Sequence, residues 1–414
     1  MSVARFIRVA LLACALQAGI ATLASAQGVQ QAPALPDPEE TGRFRLGPIR
    51  YTPSLVLSSL GVDTNVFNQA DDPQQDFTTL FGPKVEFWTR LGPRARLYGN
   101  TGVHYQYFQK YDSQRSFGTS DVLRLDVDLG RLMPFVEGQY TNTRIRPGFE
   151  IDARARLKDL SGRAGVSVRV QGKTELQFWA RNGQFRYDAG EEFLDVELGT
   201  ALNRDSKYYG SGVRFELTPL TTFVIEGETG TDRFVLSPER DANTYKIMPA
   251  FKFKPFALID GTLSVGYRNF ETVSAAVPDF GGVVALVDLG YTLRATRVAG
   301  QFRRDVTYSF ETLEPYYLQT DWAVSVTQKI TSTWDVVGRV GRYALDYERV
   351  GLPGQDRRTD NGHRRGVGVG YALGRYVRLG FDVDYVDRRS TTDVVRNYDG
   401  VRAGFGITYG IRQR

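Results

Sequence analysis

The chain has 414 residues, 42% hydrophobic and 24% charged, with 52 Lys and Arg against 47 Asp and Glu and a formal net charge of +5. Beyond the N-terminal stretch no apolar run approaches the roughly 20 residues that a membrane helix needs, so helical spanning is excluded. So small a basic excess, with no basic tract or stacking motif, gives no case for a nucleic-acid partner.

Met1 to Ala26 reads as a secretory signal: Arg5 and Arg8 form a charged start, Val9 to Leu23 an apolar middle, and Ala24-Ser25-Ala26 a small-residue cleavage site. The one cysteine, Cys14, falls inside it. The mature chain is then free of disulfides, thiolate metal sites and thiol nucleophiles. Residues 27–45 form a Pro-rich periplasmic lead without periodicity. Residues 46–414 are one domain, and 43 Gly with 22 Tyr and 25 Phe suit an all-β fold.

Ile49 to Leu60 is the first strand, followed by the turn-like segment Gly61 to Asp76. Val85, Phe87 and Leu91 then face Leu97, Val103 and Tyr105, leaving Arg96, Asn100, His104 and Gln106 on the other side. Val122 to Leu129 alternates strictly, with Arg124, Asp126 and Asp128 on its polar face. From Arg163 to Arg181, Val166, Val168, Val170, Leu176, Phe178 and Ala180 oppose Arg169, Glu175, Gln177 and Arg181. Further hairpins set Arg214, Glu216, Glu226 and Glu228 against Val213, Phe215, Phe223 and Ile225. They also set Lys252, Lys254, Asp260 and Arg268 against Phe251, Phe253, Leu263 and Val265. Asp288 opposes Val287 and Leu289, and Trp322, Val324 and Val326 lead into Trp334, Val336 and Val340.

The stretch Gly366 to Tyr385 fixes the unit most plainly. A three-residue loop at Gly374, Arg375 and Tyr376 pairs Leu373 with Val377, Tyr371 with Leu379, Val369 with Phe381 and Val367 with Val383, so one face is wholly apolar. Arg378, Asp382 and Asp384 fall on the other. The same three-residue loop is expected at Leu91 to Ala95, Val170 to Thr174, Leu217 to Thr221, Phe253 to Ala257 and Ile330 to Trp334, with differently sized turns near Gly130 and Ala295. Longer polar connections, such as Arg144 to Ala155, Asp188 to Gly199, Glu348 to Gly362 and Asp387 to Asn397, alternate with these turns. None is long enough to predict an inward plug.

Short turns at one end and long loops at the other, with strands of bilayer-spanning length, predict an all-β transmembrane antiparallel up-and-down β-barrel of about 18 strands. A soluble sandwich with the apolar face inward is the alternative. In the barrel the apolar stripe meets outer-membrane lipid. The lumen is lined by Arg96, Arg124, Asp126, Asp128, Arg169, Arg214, Lys252, Asp260, Arg268, Asp288, Arg378, Asp382 and Asp384, with charges near balance.

In the last strand, Arg402, Gly404, Ile407 and Tyr409 resemble the polar-x-Gly-x-x-apolar-x-apolar signal by which barrel-insertion machinery recognises its clients, although Gly410 to Arg414 runs past it. Gly61-Val62-Asp63-Thr64-Asn65-Val66-Phe67 resembles the signature that follows the first strand in the outer-membrane β-barrel porin type 2 family. That resemblance implies a Gram-negative outer-membrane porin linked to export of exopolysaccharide or capsule with a periplasmic component. Turn chemistry, with Asp63 and Asn65 bonding to nearby backbone, is the plainer reading of the same residues.

No Ser-His-Asp arrangement surrounds His104 or His363, and two scattered histidines without cysteine argue against a metal centre. The carboxylates two apart, Asp126 and Asp128, Glu226 and Glu228, Asp382 and Asp384, read as a solvated lumen wall before they read as acid and base. The expectation is a non-enzymatic barrel without a cofactor, acting as an export or diffusion passage or as a closed structural or surface-binding barrel.

Overall fold

The computed structural model describes residues 42–254, 258–351 and 357–410. The signal, most of the lead, the centre of the expected turn at Phe253 to Ala257 and the residues after Gly410 lie outside them. Among the described residues eighteen long strands form one closed antiparallel barrel. They are β1 Ile49–Asp63, β2 Asp76–Leu91, β3 Ala95–Phe108, β4 Ser116–Val127, β5 Leu132–Ile145 and β6 Ala155–Gln171. There follow β7 Thr174–Tyr187, β8 Arg204–Thr218, β9 Thr221–Phe234, β10 Ala242–Phe253, β11 Ile259–Thr272 and β12 Phe280–Leu293. The last third is β13 Thr296–Tyr308, β14 Tyr316–Lys329, β15 Trp334–Glu348, β16 Thr359–Leu373, β17 Val377–Ser390 and β18 Tyr398–Tyr409.

Each strand pairs with its sequence neighbours, and β1 pairs with β18 to close the ring. Closure is what a bilayer demands, because an open edge would leave N–H and C=O groups in hydrocarbon without partners. The short strand Phe44–Leu46 folds back on Ile49 to Tyr51 at the turn end. Both described ends of the chain therefore lie on the side of the short turns.

The hairpin of β16 and β17 has the expected register at every step from Leu373 with Val377 to Val367 with Val383. Leu91 pairs with Ala95, and Ile330 donates to the Trp334 carbonyl at 2.9 Å, as three-residue loops require. At two turns the arms keep the expected register while the tip closes one residue tighter. Gln171 pairs with Thr174 and Thr218 with Thr221, with the pairing shifting at Val170 and Leu217. Between β10 and β11 the expected three-residue loop is wrong: Phe253 pairs with Gly261, not with Ala257. An even number of extra residues leaves the faces unchanged, which is why the apolar pattern could not reveal the longer connection.

The outer face carries the apolar stripe. Phe178 is 49% exposed, and Val136, Val213, Val265, Trp334, Val367 and Phe405 are exposed with it. Connection length does not announce an inward fold, yet one hairpin tip makes one. Pairing of β12 with β13 stops at Ala285 and Arg304, whereas β13 continues to Tyr308, held only by β14. From Val306 to Phe310 and from Tyr316 to Gln319 both faces of this hairpin tip are buried, so it has left the wall for the barrel mouth. There Tyr308 packs on Phe234 and Phe270, and Tyr316 on Phe270.

An arginine on the lipid face costs about 2–4 kcal/mol near the bilayer midplane, whereas the lumen face tolerates it. Phe178→Arg should therefore lower stability by about that much, and Gln177→Arg by less than about 1 kcal/mol. Urea unfolding in lipid vesicles measures both, and equal losses would reverse the assignment of faces.

Candidate functional site

Apart from Asp128, the expected lumen residues lie on the face opposite the exposed apolar set, and most carry an ionic partner. Arg124 bonds Asp126 at 2.8 Å and Glu137 at 3.2 Å, and Lys252 reaches Glu226 at 3.4 Å. Asp260 holds Arg297 at 3.0 Å, and Arg268 holds Asp305 at 2.8 Å. Arg378 pairs with Asp335, Asp382 with Arg339, and Asp384 with Arg339 and Arg364. Arg96 stands opposite Asp126, Arg214 opposite Glu175, and Asp288 opposite Gln301. Asp128 lies past the end of β4 in the short turn, where its carboxylate accepts from the Gly130 N–H and sits 3.7 Å from Arg169. Each carboxylate of the two-apart pairs thus faces a cation, and Glu228 faces Arg181 at 2.9 Å. The exposed pair of Arg169 with Asp128 contributes little stability, about 0–1 kcal/mol, and the pairs together cancel charge along the wall.

The stretch Gly61 to Phe67 seals the barrel. Asp63 accepts from the Asn65 N–H at 3.0 Å, an Asx turn. The Asn65 amide donates to the carbonyls of Gln69 (2.8 Å) and Asp399 (3.0 Å) and accepts from the Gln69 N–H. Thr64 accepts from the Val401 N–H, and Arg402 bonds Asp63 at 3.1 Å. Turn chemistry and closure of the β1/β18 seam are therefore one structure. Gly61 faces Gly404 here, and a Cβ on Gly61 would meet the Ala403 carbonyl at 2.0 Å. Ile407 and Tyr409 of the expected insertion signal are exposed on the outer face.

At the other end the long loops meet across the mouth. Loop 146–154, between β5 and β6, touches loop 309–315, between β13 and β14, from the far side of the ring. Ser309 donates to the Glu150 carboxyl at 2.6 Å. Arg388 on β17 donates to the carbonyls of Phe149 and Glu150 and to Asp152 (2.7 Å), and is paired with Asp360. Arg396 donates to the Glu150 carbonyl at 2.6 Å and to Glu311 at 3.3 Å, and Arg240 to the carbonyls of Ser309, Phe310 and Glu311. Arg358 joins Asp360, Glu311 and Glu314. Arg388 and Asp360 are fully buried. Removing one partner of such a pair strands the other charge, at about 3–5 kcal/mol.

The sequence matches, over residues 39–410, the family described as Putative beta-barrel porin 2. The chain belongs to this family. It is an outer-membrane β-barrel. No curated protein matches it. Among solved structures the porin is similar to the outer membrane protein OpdK of Pseudomonas aeruginosa, with 10% identity and a TM-score of 0.48 over 87% of this chain and 98% of that one. It is also similar to a BenF-like porin of Pseudomonas fluorescens Pf-5, with 10% identity and a TM-score of 0.47 over 88% and 98%. A third likeness is to OprD of Pseudomonas aeruginosa, with 11% identity and a TM-score of 0.44 over 87% and 94%.

Sequence reading missed the porin's mouth residues, Glu150, Asp152, Arg240, Ser309, Arg388 and Arg396, because their partners lie far away in the chain. The one available signal was charge within apolar surroundings, as in Arg146-Pro147-Gly148-Phe149-Glu150-Ile151. It also missed the inward aromatics, among them Trp88, Phe135, Trp179 and Tyr208, which alternate with polar residues just as lipid-facing rings do.

Burial pushes the Glu150 carboxyl up to about 7, against the pull of Arg396, the Ser309 hydroxyl and Arg358, with Glu311 adding to the rise. A raised carboxyl stabilises the closed loops fully below its ordinary value near 4.5 and loses that contribution as the pH climbs through about 7. Amide protection factors at residues 149–151 and 309–311 should fall between pH 5 and pH 8, and Glu150→Gln should flatten the change. At the seam, Asn65→Ala loses three hydrogen bonds in a partly buried site and should cost about 1–3 kcal/mol, measured as a lower temperature of the folded-to-unfolded gel shift.

Proposed function

We propose that the barrel is the outer-membrane exit for an exported polysaccharide, exopolysaccharide or capsule, delivered by a periplasmic export component at the short-turn end. The observation that carries this reading is the bond from Ser309 to Glu150, made between loops on nearly opposite sides of the mouth and reinforced by Arg388 and Arg396. A general diffusion porin works with its mouth open. An exporter is at rest for most of its life and must not leak, so loops latched on the outside and displaced from within by an emerging chain suit it. The paired charges of the inner wall favour the same reading, since a near-neutral polar surface solvates a hydroxylated polymer without trapping it. A closed barrel whose loops bind a surface partner is the competing reading, favoured by the aromatic core around Tyr308, Tyr316 and Phe270.

Planar bilayers separate the two. The parent protein should show rare openings of low conductance. Arg388→Leu, which takes the guanidinium from Asp152 and from the carbonyls of Phe149 and Glu150 and leaves Asp360 to Arg358, should raise the open fraction at least about tenfold, the ratio that 1.4 kcal/mol produces. Ser309→Ala, which removes the hydroxyl donated to Glu150, is the milder variant should Arg388→Leu fail to insert. Silence from every form would leave only the closed barrel, and steady large conductance from the parent would remove the latch.

A further inference from the structure

Registers of the inner wall place one row of residues side by side across seven strands. Trp88 pairs with Tyr98, Tyr98 with Arg124, Arg124 with Glu137, Glu137 with Arg163, Arg163 with Arg181 and Arg181 with Tyr208. Trp88 lies near the short-turn end of β2 and Tyr208 near the long-loop end of β8. Barrel strands tilt by about 35–45°, so a row running across them climbs along the axis and winds from one mouth toward the other.

Aromatic rings stack with this row. The Arg124 guanidinium lies 4.4 Å from the Phe135 ring, Arg163 lies 5.5 Å from Phe135 and 4.7 Å from Trp179, and Arg181 lies 4.1 Å from Tyr208. Three of these rings lie flat on glycine. A Cβ on Gly165 would meet Phe135 at 2.8 Å, one on Gly210 would meet Trp179 at 2.2 Å, and one on Gly230 would meet Tyr208 at 2.3 Å. The wall is thus pared to backbone where each ring rests. Arg124 and Arg181 have carboxylate partners, but Arg163, halfway along, makes no salt bridge among the described residues, and its Nε is buried without a hydrogen bond. The Trp88 indole N–H at the foot of the row is likewise buried and unbonded.

We infer that this spiral of arginines and flat aromatic rings is a binding track for an acidic polysaccharide, one bearing uronate carboxylates. A ring face takes the apolar face of a sugar, and a guanidinium held against a ring keeps its planar fork of donors in the orientation that grips a carboxylate. Arg163 supplies a guanidinium that no carboxylate holds in a salt bridge, although Glu137 stands opposite it, so its fork is open to a ligand. Alternating stack and charge along a climbing row lets successive residues of a polymer move from one step to the next. The track deepens the proposed export function and rests on it.

The test uses the full mature protein in detergent with Trp322→Phe and Trp334→Phe, both on the outer face, so that emission reports on Trp88 and Trp179. Hexagalacturonate should change that emission, and maltohexaose should bind at least about tenfold more weakly. Arg163→Gln should weaken hexagalacturonate about tenfold and leave maltohexaose unaltered. Equal binding of the two sugars, no binding of the acidic one, or an Arg163→Gln protein that binds like its parent would each overturn the track. Conductance of the same proteins in planar bilayers is the separate readout of the passage: current through Arg163→Gln with unaltered sugar binding discards the track and keeps the porin.

Discussion

Hydrocarbon accepts no unpaired backbone N–H or C=O, and the architecture of this porin follows from that exclusion. A sheet in lipid must meet itself, so β1 must find β18 across nearly the whole chain. Once the ring is closed, the alternation of side chains assigns every strand residue to oil or to water, and the only backbone free to take another shape lies at the two rims. One rim is trimmed to short turns. The other spends its freedom on loops and on a hairpin tip that folds inward.

Polar groups follow a gradient of burial from wall to mouth. On the inner wall, Lys254 with Glu216 or Lys84 with Glu86 keep much of their surface in water and are individually weak. At the mouth, Arg388 and Asp360 have lost their water altogether, and the carbonyls of loop 146–154 complete the shell around the guanidinium. Paired charges are therefore a screening layer in one place and a clasp in the other. Solvent access decides which.

How much of this was legible in the sequence depends on how local its cause is. The register of β16 and β17 was readable because glycine at 374 and four apolar pairs admit one loop length only. The join of β10 to β11 was not, because its longer connection preserves which side chains face lipid. The tip of β13 and β14 reads as ordinary strand. Only contact with Phe234, Phe270 and Phe149, distant in sequence, takes it out of the wall. The balance of lumen charges could be counted, but the stacking of Arg163 between Phe135 and Trp179 depends on neighbouring strands and on the glycines beneath the rings. Asp63 and Asn65 were open to a local and a family reading, and their bonds serve both, since the turn they make is also the fastening of the seam.

That fastening has a consequence for biogenesis. Asn65 bonds to a carbonyl 334 residues away, and Arg43 donates to the Gly410 carbonyl from 367 residues away while stacking on Tyr376. Contacts of such separation form only after the intervening chain is ordered. The nascent sheet must therefore carry two naked edges until its final strand arrives, and whatever chaperones it has to shield both at once. The first and last strands would then dock in a single committing event, with the N-terminal arm drawn tight behind them.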